Sequence, residues 1–352
     1  MDSNGDLVLV TGATGYIARH CVVSLLEAGY RVRGTARSTE RAARLAEQLR
    51  PHLSAVAATR LDSMEIVAAD LVHDDGWPEA VSGCRHVLHV ASPFPAQPPK
   101  TDDELIVPAR DGALRVLREA AAGDVDRVVM TSSAAAVVSG HRQKERFDES
   151  DWSNLAGPGV GAYEKSKTIA ERAAWDFIGS LEGPDPMELV VINPSLVIGP
   201  LLGPDHGTSA ELLKKLFDRD FPAVPDLTFP VVDVRDVASA HLRALEVPEA
   251  AGNRFICSTG NMPMRDIALL LDRHFSELGF KIPTRRLPNV LFRLGARFDP
   301  TAKLAVHQLG RTQVLLTDRI ERVLGWEPID PERSIVEMCE SLLNHGVVSA
   351  KA

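Results

Sequence analysis

Residues Leu7–Ala18, Leu-Val-Leu-Val-Thr-Gly-Ala-Thr-Gly-Tyr-Ile-Ala, leave the chain few choices. Leu7–Val10 is a continuous apolar run, too short for a buried helix and suited to a parallel strand covered on both faces. Thr11–Gly15 supplies a turn with two glycines. From Tyr16 the apolar period changes: Ile17, Cys21, Leu25 and Ala28 fall three or four apart, on one face of a helix. Strand, glycine turn and helix form a cradle in which a dinucleotide's pyrophosphate meets the free N–H groups of a helix start. Gly12 permits the tight turn, Gly15 lets the backbone approach the phosphates, and Ala18 keeps the helix close to the sheet. The spacing is Gly-x-x-Gly-x-x-Ala, short of Gly-x-Gly-x-x-Gly. Any tight strand-to-helix turn can use two glycines, so the rest of the chain has to decide.

The next apolar segment, Arg31–Ala36, runs into Arg37-Ser38. A site for NAD expects an Asp or Glu near this strand end, to accept from the ribose 2′-hydroxyl. None stands there, and the nearest acid, Glu40, already begins the next helix. Arg37 sits where a guanidinium can grip a 2′-phosphate, with Arg41 or Arg44 as a second contact. The same arginines also suit a solvated helix surface that carries Glu40 and Glu47. Given a nucleotide site, the pattern favours NADP(H) over NAD.

Strand and helix patterns then alternate. Met64–Ala69 is a third strand closing on Asp70-Leu71, where a carboxylate can reach an adenine or cap a turn. Residues 74–83 look helical. His86–Ala91 is a fourth strand, broken at once by Ser92-Pro-Phe-Pro95. A helix covers about Asp103–Ala122, and the fifth strand, Val125–Thr131, runs into Ser132-Ser133. After a polar excursion from Gly140 to Gly161, Tyr163-Glu-Lys-Ser-Lys167 opens a helix to about Ser180.

Tyr163 and Lys167, four apart, share a helix face. A phenol with a pKa of about 10 is a poor proton donor near neutrality, and a nearby ammonium lowers that value. Hydride transfer to a carbonyl creates an alkoxide that must be protonated, so such a Tyr beside a hydroxyl donor suits the task.

Met187–Ile192 is a sixth strand, and Arg254–Cys257 a late strand of the same sheet. Beyond Asn193-Pro-Ser195 the alternation lapses. A helix is expected over about Ser209–Arg219, Val231–Glu246 reads as helical, and Pro263–Leu278 with segments at about Asp318–Leu324 and Pro331–His345 adds more helix. The expected architecture is α/β: a Rossmann doubly wound parallel sheet with helices on both faces, plus a smaller, mostly helical C-terminal substrate-binding domain. Residues 1–195 with about 231–259 would bind the nucleotide, and 196–230 with 260–352 the substrate.

Hydrophobic content of 45% and charged content of 25% suit an ordinary soluble protein. The net charge of −9 argues against nucleic acid or an anionic membrane as partner. No apolar run approaches a membrane span, and Met1–Asp6 has no signal-peptide core. A cytoplasmic monomer or homodimer acting on a small molecule is expected. Cys21, Cys84, Cys257 and Cys339 are scattered, as buried small hydrophobes would be. Cys84, His86 and His89 locally resemble metal ligands, yet His86 and His89, three apart on a strand, point to opposite faces. No metal is expected.

Together these motifs resemble the extended short-chain dehydrogenase/reductase superfamily, in the branch of dihydroflavonol 4-reductases, cinnamoyl-CoA reductases and related aldehyde or ketone reductases. The resemblance spans nearly the whole chain. It is carried by Val10–Ala18, Val32-Arg-Gly-Thr-Ala-Arg37, His89-Val-Ala-Ser-Pro93, Thr131-Ser-Ser133 and Tyr163-Glu-Lys-Ser-Lys167 with Glu171-Arg-Ala-Ala-Trp-Asp-Phe177. Asn193-Pro-Ser195 and Val232-Asp-Val-Arg-Asp-Val-Ala238 complete it.

The resemblance implies a catalytic Ser133, with Ser132 a near rival, a proton donor in Tyr163, and Lys167 to tune it and bind the nicotinamide ribose. It implies cofactor contacts from Gly12, Thr14, Gly15, Tyr16 and Ile17 of the cradle and from Arg37 and Arg44. Further contacts would come from Asp70, Leu71, Val90, Ala91, Ser92, Thr131 and Tyr163, with Pro194, Ser195 and Leu196 beside the nicotinamide.

The Asn-Trp-Tyr-Cys-Tyr signature of cinnamoyl-CoA reductases is absent, with Gly159-Val-Gly-Ala-Tyr163 in its place, which argues against a CoA thioester. Phe94–Lys100 and Leu201–Phe229 match plant flavonoid reductases poorly. The reading is an NADPH-dependent carbonyl reductase. Alternatives are a nucleotide-sugar epimerase or dehydratase, a hydroxysteroid-type dehydrogenase and, from another class, a non-catalytic NADP-sensing protein.

Overall fold

Seven short strands, nearly all apolar, form one parallel sheet in the computed structural model, which describes residues 5–38, 42–93, 99–184, 186–220, 222–298 and 300–349. They are β1 (Leu7–Val10), β2 (Arg31–Ala36), β3 (Glu65–Ala68), β4 (His86–His89), β5 (Arg127–Thr131), β7 (Glu188–Pro194) and β10 (Arg254–Cys257). Their order is β10-β7-β5-β4-β1-β2-β3. Chain direction across the sheet therefore reverses between β1 and β4, and the carboxyl edge at that point is where such sheets bind ligands.

Alternation along the strands explains the layers. Val8 and Val10 belong to one core and Leu9 to another, and Leu88 and Val87 divide in the same way. Helices Tyr16–Glu27 and Val234–Glu246 cover the first face, and Asp103–Ala122 and Ala162–Gly179 the second. Strands β1, β4, β5, β7 and β10 are buried along nearly their whole length, which is why they read as mostly apolar runs, whereas the edge strand β3 is buried only at Val67. All four cysteines are buried, as their scatter implied.

Beyond Pro194 the expectation needs correction. Val231–Glu246 is not one helix: β9 (Thr228–Asp233) occupies its start, and the helix begins at Val234. The Asp233 carboxylate accepts from Arg235 N at 2.7 Å and so caps that start. β9 lies between β8 (Leu196–Ile198), to which it is parallel, and β11 (Gly260–Pro263), to which it is antiparallel.

Helices Thr208–Phe217, Met264–Phe275 and Pro331–Asn344 close a third core on this small sheet. The C-terminal part is mostly helical, as expected, and also contributes β11 to this small mixed sheet. Strands of three to six residues show too few turns of the period-2 pattern to be read from sequence. The polar excursion adds a short β6 (Arg146–Phe147), parallel to β12 (Val314–Leu315). Among the described residues no helix is long and apolar enough to cross a membrane.

Candidate active site

The glycine turn forms as its sequence requires. Gly12 has φ +64°, a left-handed value that favours glycine, and a Cβ there would meet the Ala91 Cβ at 3.0 Å. Thr35 Oγ1 accepts from Gly12 N at 3.0 Å, and Gly15 N closes the turn on Gly12 O at 2.8 Å. Thr11 Oγ1 accepts from Ala91 N at 2.9 Å and bonds His89 Nδ1 at 3.0 Å, which stitches the turn to the end of β4. No side chain caps the helix that starts at Tyr16, so its first N–H groups stay available to an anion. Thr14 and Gly15 stand on the open side of this turn, and Ile17 packs its side chain onto the first core.

The Tyr16 side chain reaches across to the small sheet. Its hydroxyl donates to Gly199 O at 2.8 Å, and its ring packs against both the sheet core and the small-sheet core. Burial holds the phenol well above its usual pKa. Tyr16 thus ties the two parts of the chain together.

Arg37 follows β2 with its side chain exposed and no ion-pair partner among the described residues. Arg44 is exposed at the start of the helix Leu45–Leu49 and lines a cavity of about 560 Å³ with Gln48, His52, Leu202 and His345. None of Gly12, Asp70 or Ser92 lines that cavity. Arg41, Glu40 and the segment 94–98 lie outside the described residues. Asp70 forms a local turn, its carboxylate accepting from Val72 N at 3.2 Å, while Leu71 is buried in the second core. β4 ends at His89, so Val90, Ala91 and Ser92 form the loop that leaves the carboxyl edge.

At the end of β5 three hydroxyls point three ways. Thr131 Oγ1 donates to His241 Nε2 at 2.7 Å, because His241 Nδ1 must carry the proton given to Val237 O at 2.8 Å. Burial lowers the His241 pKa to about 4, so the ring is neutral. Ser132 Oγ donates to Glu171 Oε2 at 2.5 Å. Ser133 alone faces Tyr163, whose hydroxyl donates to Ser133 Oγ at 3.4 Å. Ser132, by contrast, is bound into a buried network with Glu171 and Asn193.

Helix Ala162–Gly179 carries Tyr163, Lys167 and Glu171 at intervals of four, on one face. Glu164 Oε2 accepts from Gly161 N at 2.8 Å and fixes the helix start. Lys167 Nζ stands 6.0 Å from the centre of the Tyr163 ring. Burial lowers its pKa to about 8, opposed by the Glu171 charge.

The Tyr163 phenol is not depressed as the Tyr-Lys spacing suggested. Burial raises it, and the Ser133 hydrogen bond opposes that rise only in part. Burial wins because removing a phenolate from water costs more than one hydrogen bond returns. Lys167 also helps hold His89 neutral, with a pKa near 3 set first by burial. His89 is bonded to the glycine turn, so the Tyr-Lys pair and the cradle meet at the same sheet edge.

Glu171 was quoted within a motif but given no role by sequence. It is fully buried and paired with Arg254 at 2.5 Å. Asn193 Nδ2 donates to Glu171 Oε2 at 2.8 Å and to Ser133 O at 3.2 Å, so the network reaches the Ser133 backbone. Its signal in the sequence was an acid one turn beyond Lys167 on the same face. Pro194 O accepts from Ala134 N at 2.8 Å, and Ser195 N donates to Cys257 O at 3.0 Å. Ser195 Oγ is buried with no hydrogen-bond partner among the described residues, an unmet demand that a ligand amide can meet. Leu196 opens β8 and joins the edge of the small-sheet core.

Fold and site together define an oxidoreductase of the extended short-chain dehydrogenase/reductase kind. Residues 8–257 match the NAD-dependent epimerase/dehydratase family, and the chain belongs to that family. It is 33% identical over 345 residues to the NADPH-dependent methylglyoxal reductase Gre2 of Saccharomyces cerevisiae, covering 91% of this chain and 98% of that one. It is 37% identical over 316 residues to a ketoreductase, azaE, of Aspergillus niger, covering 83% and 89%. Its structure is similar to the crystal structure of Gre2 from Candida albicans in complex with NADPH, with a TM-score of 0.77, 28% identity and coverage of 97% and 99%.

Proposed function

We propose that the protein is an NADPH-dependent carbonyl reductase acting on an aldehyde or ketone with an apolar body, and that Ser133, Tyr163 and Lys167 carry the reaction. The observation that supports it most is the Tyr163–Ser133 hydrogen bond one helical turn from Lys167, at the sheet edge that also carries the glycine cradle. The residues present fit the cofactor. The uncapped helix start suits a pyrophosphate, Arg37, without an ion-pair partner among the described residues, suits a 2′-phosphate, and Ser195 Oγ, without a hydrogen-bond partner among them, suits the nicotinamide amide. NADPH supplies the hydride that adds to the carbonyl carbon.

The chain's own groups do the rest. The Ser133 hydroxyl donates to the carbonyl oxygen and holds it beside Tyr163. Tyr163 gives its proton to that oxygen as negative charge develops. Lys167 holds a positive charge one turn away, favours the phenolate left behind, and binds the nicotinamide ribose. A raised phenol pKa keeps Tyr163 protonated before reaction, the state a donor needs. Alcohol oxidation runs through the same groups in reverse.

Arg37 tests the cofactor reading. Arg37→Ala removes charge-assisted bonds worth about 1.5–3 kcal/mol, so NADPH affinity should fall roughly 10- to 100-fold while NADH affinity stays unchanged. Equal loss for both nucleotides would contradict the assignment. Fluorescence titration reads both.

A pH profile tests Lys167. Its pKa near 8 in the free protein means that the cation is lost as pH rises through that value. The kcat/KM for NADPH should therefore decline above about pH 8, since that ratio reports free-enzyme groups. In Lys167→Arg the guanidinium stays charged, and the decline should move out of the range.

A further inference from the structure

Lys281–Arg311 runs against the rest of the chain in charge. It holds seven Lys or Arg and one acid, Asp299, in a protein of net charge −9. Asp299 itself lies outside the described residues. Lys281, Arg285, Arg286, Arg293, Arg297 and Lys303 are all exposed. Among the described residues only Arg286 of these six has an ion-pair partner, Asp226 at 2.6 Å.

An apolar patch coincides with this basic one. The helix Asn289–Gly295 continues as a turn to Phe298, with Ala296 N donating to Phe292 O at 2.9 Å and Phe298 N to Gly295 O at 3.0 Å. Ala296 is buried and Phe292 half-buried on the inner side. On the other side Val290, Leu291, Leu294 and Phe298 fall within an arc of about 100°. They are 67%, 54%, 47% and 90% exposed. A surface helix ordinarily turns its apolar stripe to the core. Here a stripe of four large side chains meets solvent, with Arg293 and Arg297 at its margin.

The patch is also held as a unit. The Asp226 carboxylate accepts from Arg286, and its carbonyl accepts from Gly310 N at 2.8 Å. One residue therefore ties both ends of the 287–309 excursion.

We propose that this face docks on an anionic lipid surface. The four apolar side chains enter the boundary between headgroups and acyl chains, and the unpaired cations meet the anionic headgroups. Net charge alone argues against such a surface, but the patch is attracted while the acidic remainder is repelled, so the approach is oriented. A second copy fits less well, since two-fold packing of the same face sets like charges against each other. The contact is reversible and salt-dependent. It is independent of the reductase reading.

Co-sedimentation of the full chain with phosphatidylcholine vesicles, with and without phosphatidylserine, tests this. Binding should require phosphatidylserine and weaken as salt rises. Leu291→Glu with Phe298→Glu should abolish it, and Arg293→Glu with Arg297→Glu should weaken it roughly tenfold or more. NADPH binding should persist in both variants, which separates lost docking from lost folding. In the unaltered protein, phosphatidylserine vesicles should slow tryptic cleavage after Arg293 and Arg297. No binding to phosphatidylserine vesicles would overturn the proposal, as would undiminished binding by the variants. A dimer that Phe298→Glu dissociates, without vesicle binding, would assign the face to a second copy instead.

Discussion

Replacing Tyr163 by Phe should lower turnover by about 10²- to 10⁴-fold, the usual contribution of a positioned general acid. The phenyl ring keeps the packing of the half-buried side chain and removes only the hydroxyl that bonds Ser133. NADPH affinity should stay near that of the unaltered protein, because the glycine cradle and Arg37 are untouched. Folding should be preserved as well, since that hydroxyl bond, at 3.4 Å, is a long one. Single-turnover kinetics with a nucleotide titration separates the two readouts. Turnover within a few-fold of the unaltered protein would remove Tyr163 from the proton-donor role.

Arg254→Ala should be the most destabilising of the substitutions considered, by about 3–5 kcal/mol. It strands the fully buried Glu171 carboxylate without its cation. The guanidinium also donates to Asp151 O at 2.8 Å and to Glu149 O at 3.0 Å, and stacks 3.8 Å from the centre of the Trp152 ring. One truncation thus frees a buried and a part-buried carbonyl, an aromatic face and a carboxylate. Because Glu171 holds Ser132 and Asn193, and Asn193 holds the Ser133 backbone, turnover should fall in the surviving folded fraction too. Urea denaturation measures the first effect. A loss below about 1 kcal/mol would mean that the pair is dispensable.

How far the sequence was legible follows from how local each feature is. The cradle was legible because Leu7–Val10, the two glycines and the first turn of helix are contiguous, and each enforces its neighbour's geometry. Helices Asp103–Ala122 and Asp318–Leu324 were legible, with more than four turns of apolar period in the first and flanking turn residues at both. β8, β9 and β11 were not, since strands of three to six residues carry little pattern, and their partners lie far off in sequence.

The same distinction governs the site. Tyr163 and Lys167 share a helical turn and could be paired from spacing. What distinguishes the surroundings of Ser133 from those of Ser132 involves Glu171 and Asn193, which reach them only through the fold. The direction of the Tyr163 pKa was misread for a related reason. Spacing reveals the neighbouring cation, but desolvation depends on everything packed around the ring.

The most direct test of the central claim is NADPH oxidation, followed by absorbance, over a panel of aromatic and aliphatic aldehydes, ketones and diketones, with NADH in parallel. The account predicts turnover with NADPH well above that with NADH on at least one apolar carbonyl. Tight NADPH binding with no turnover on any carbonyl would contradict it.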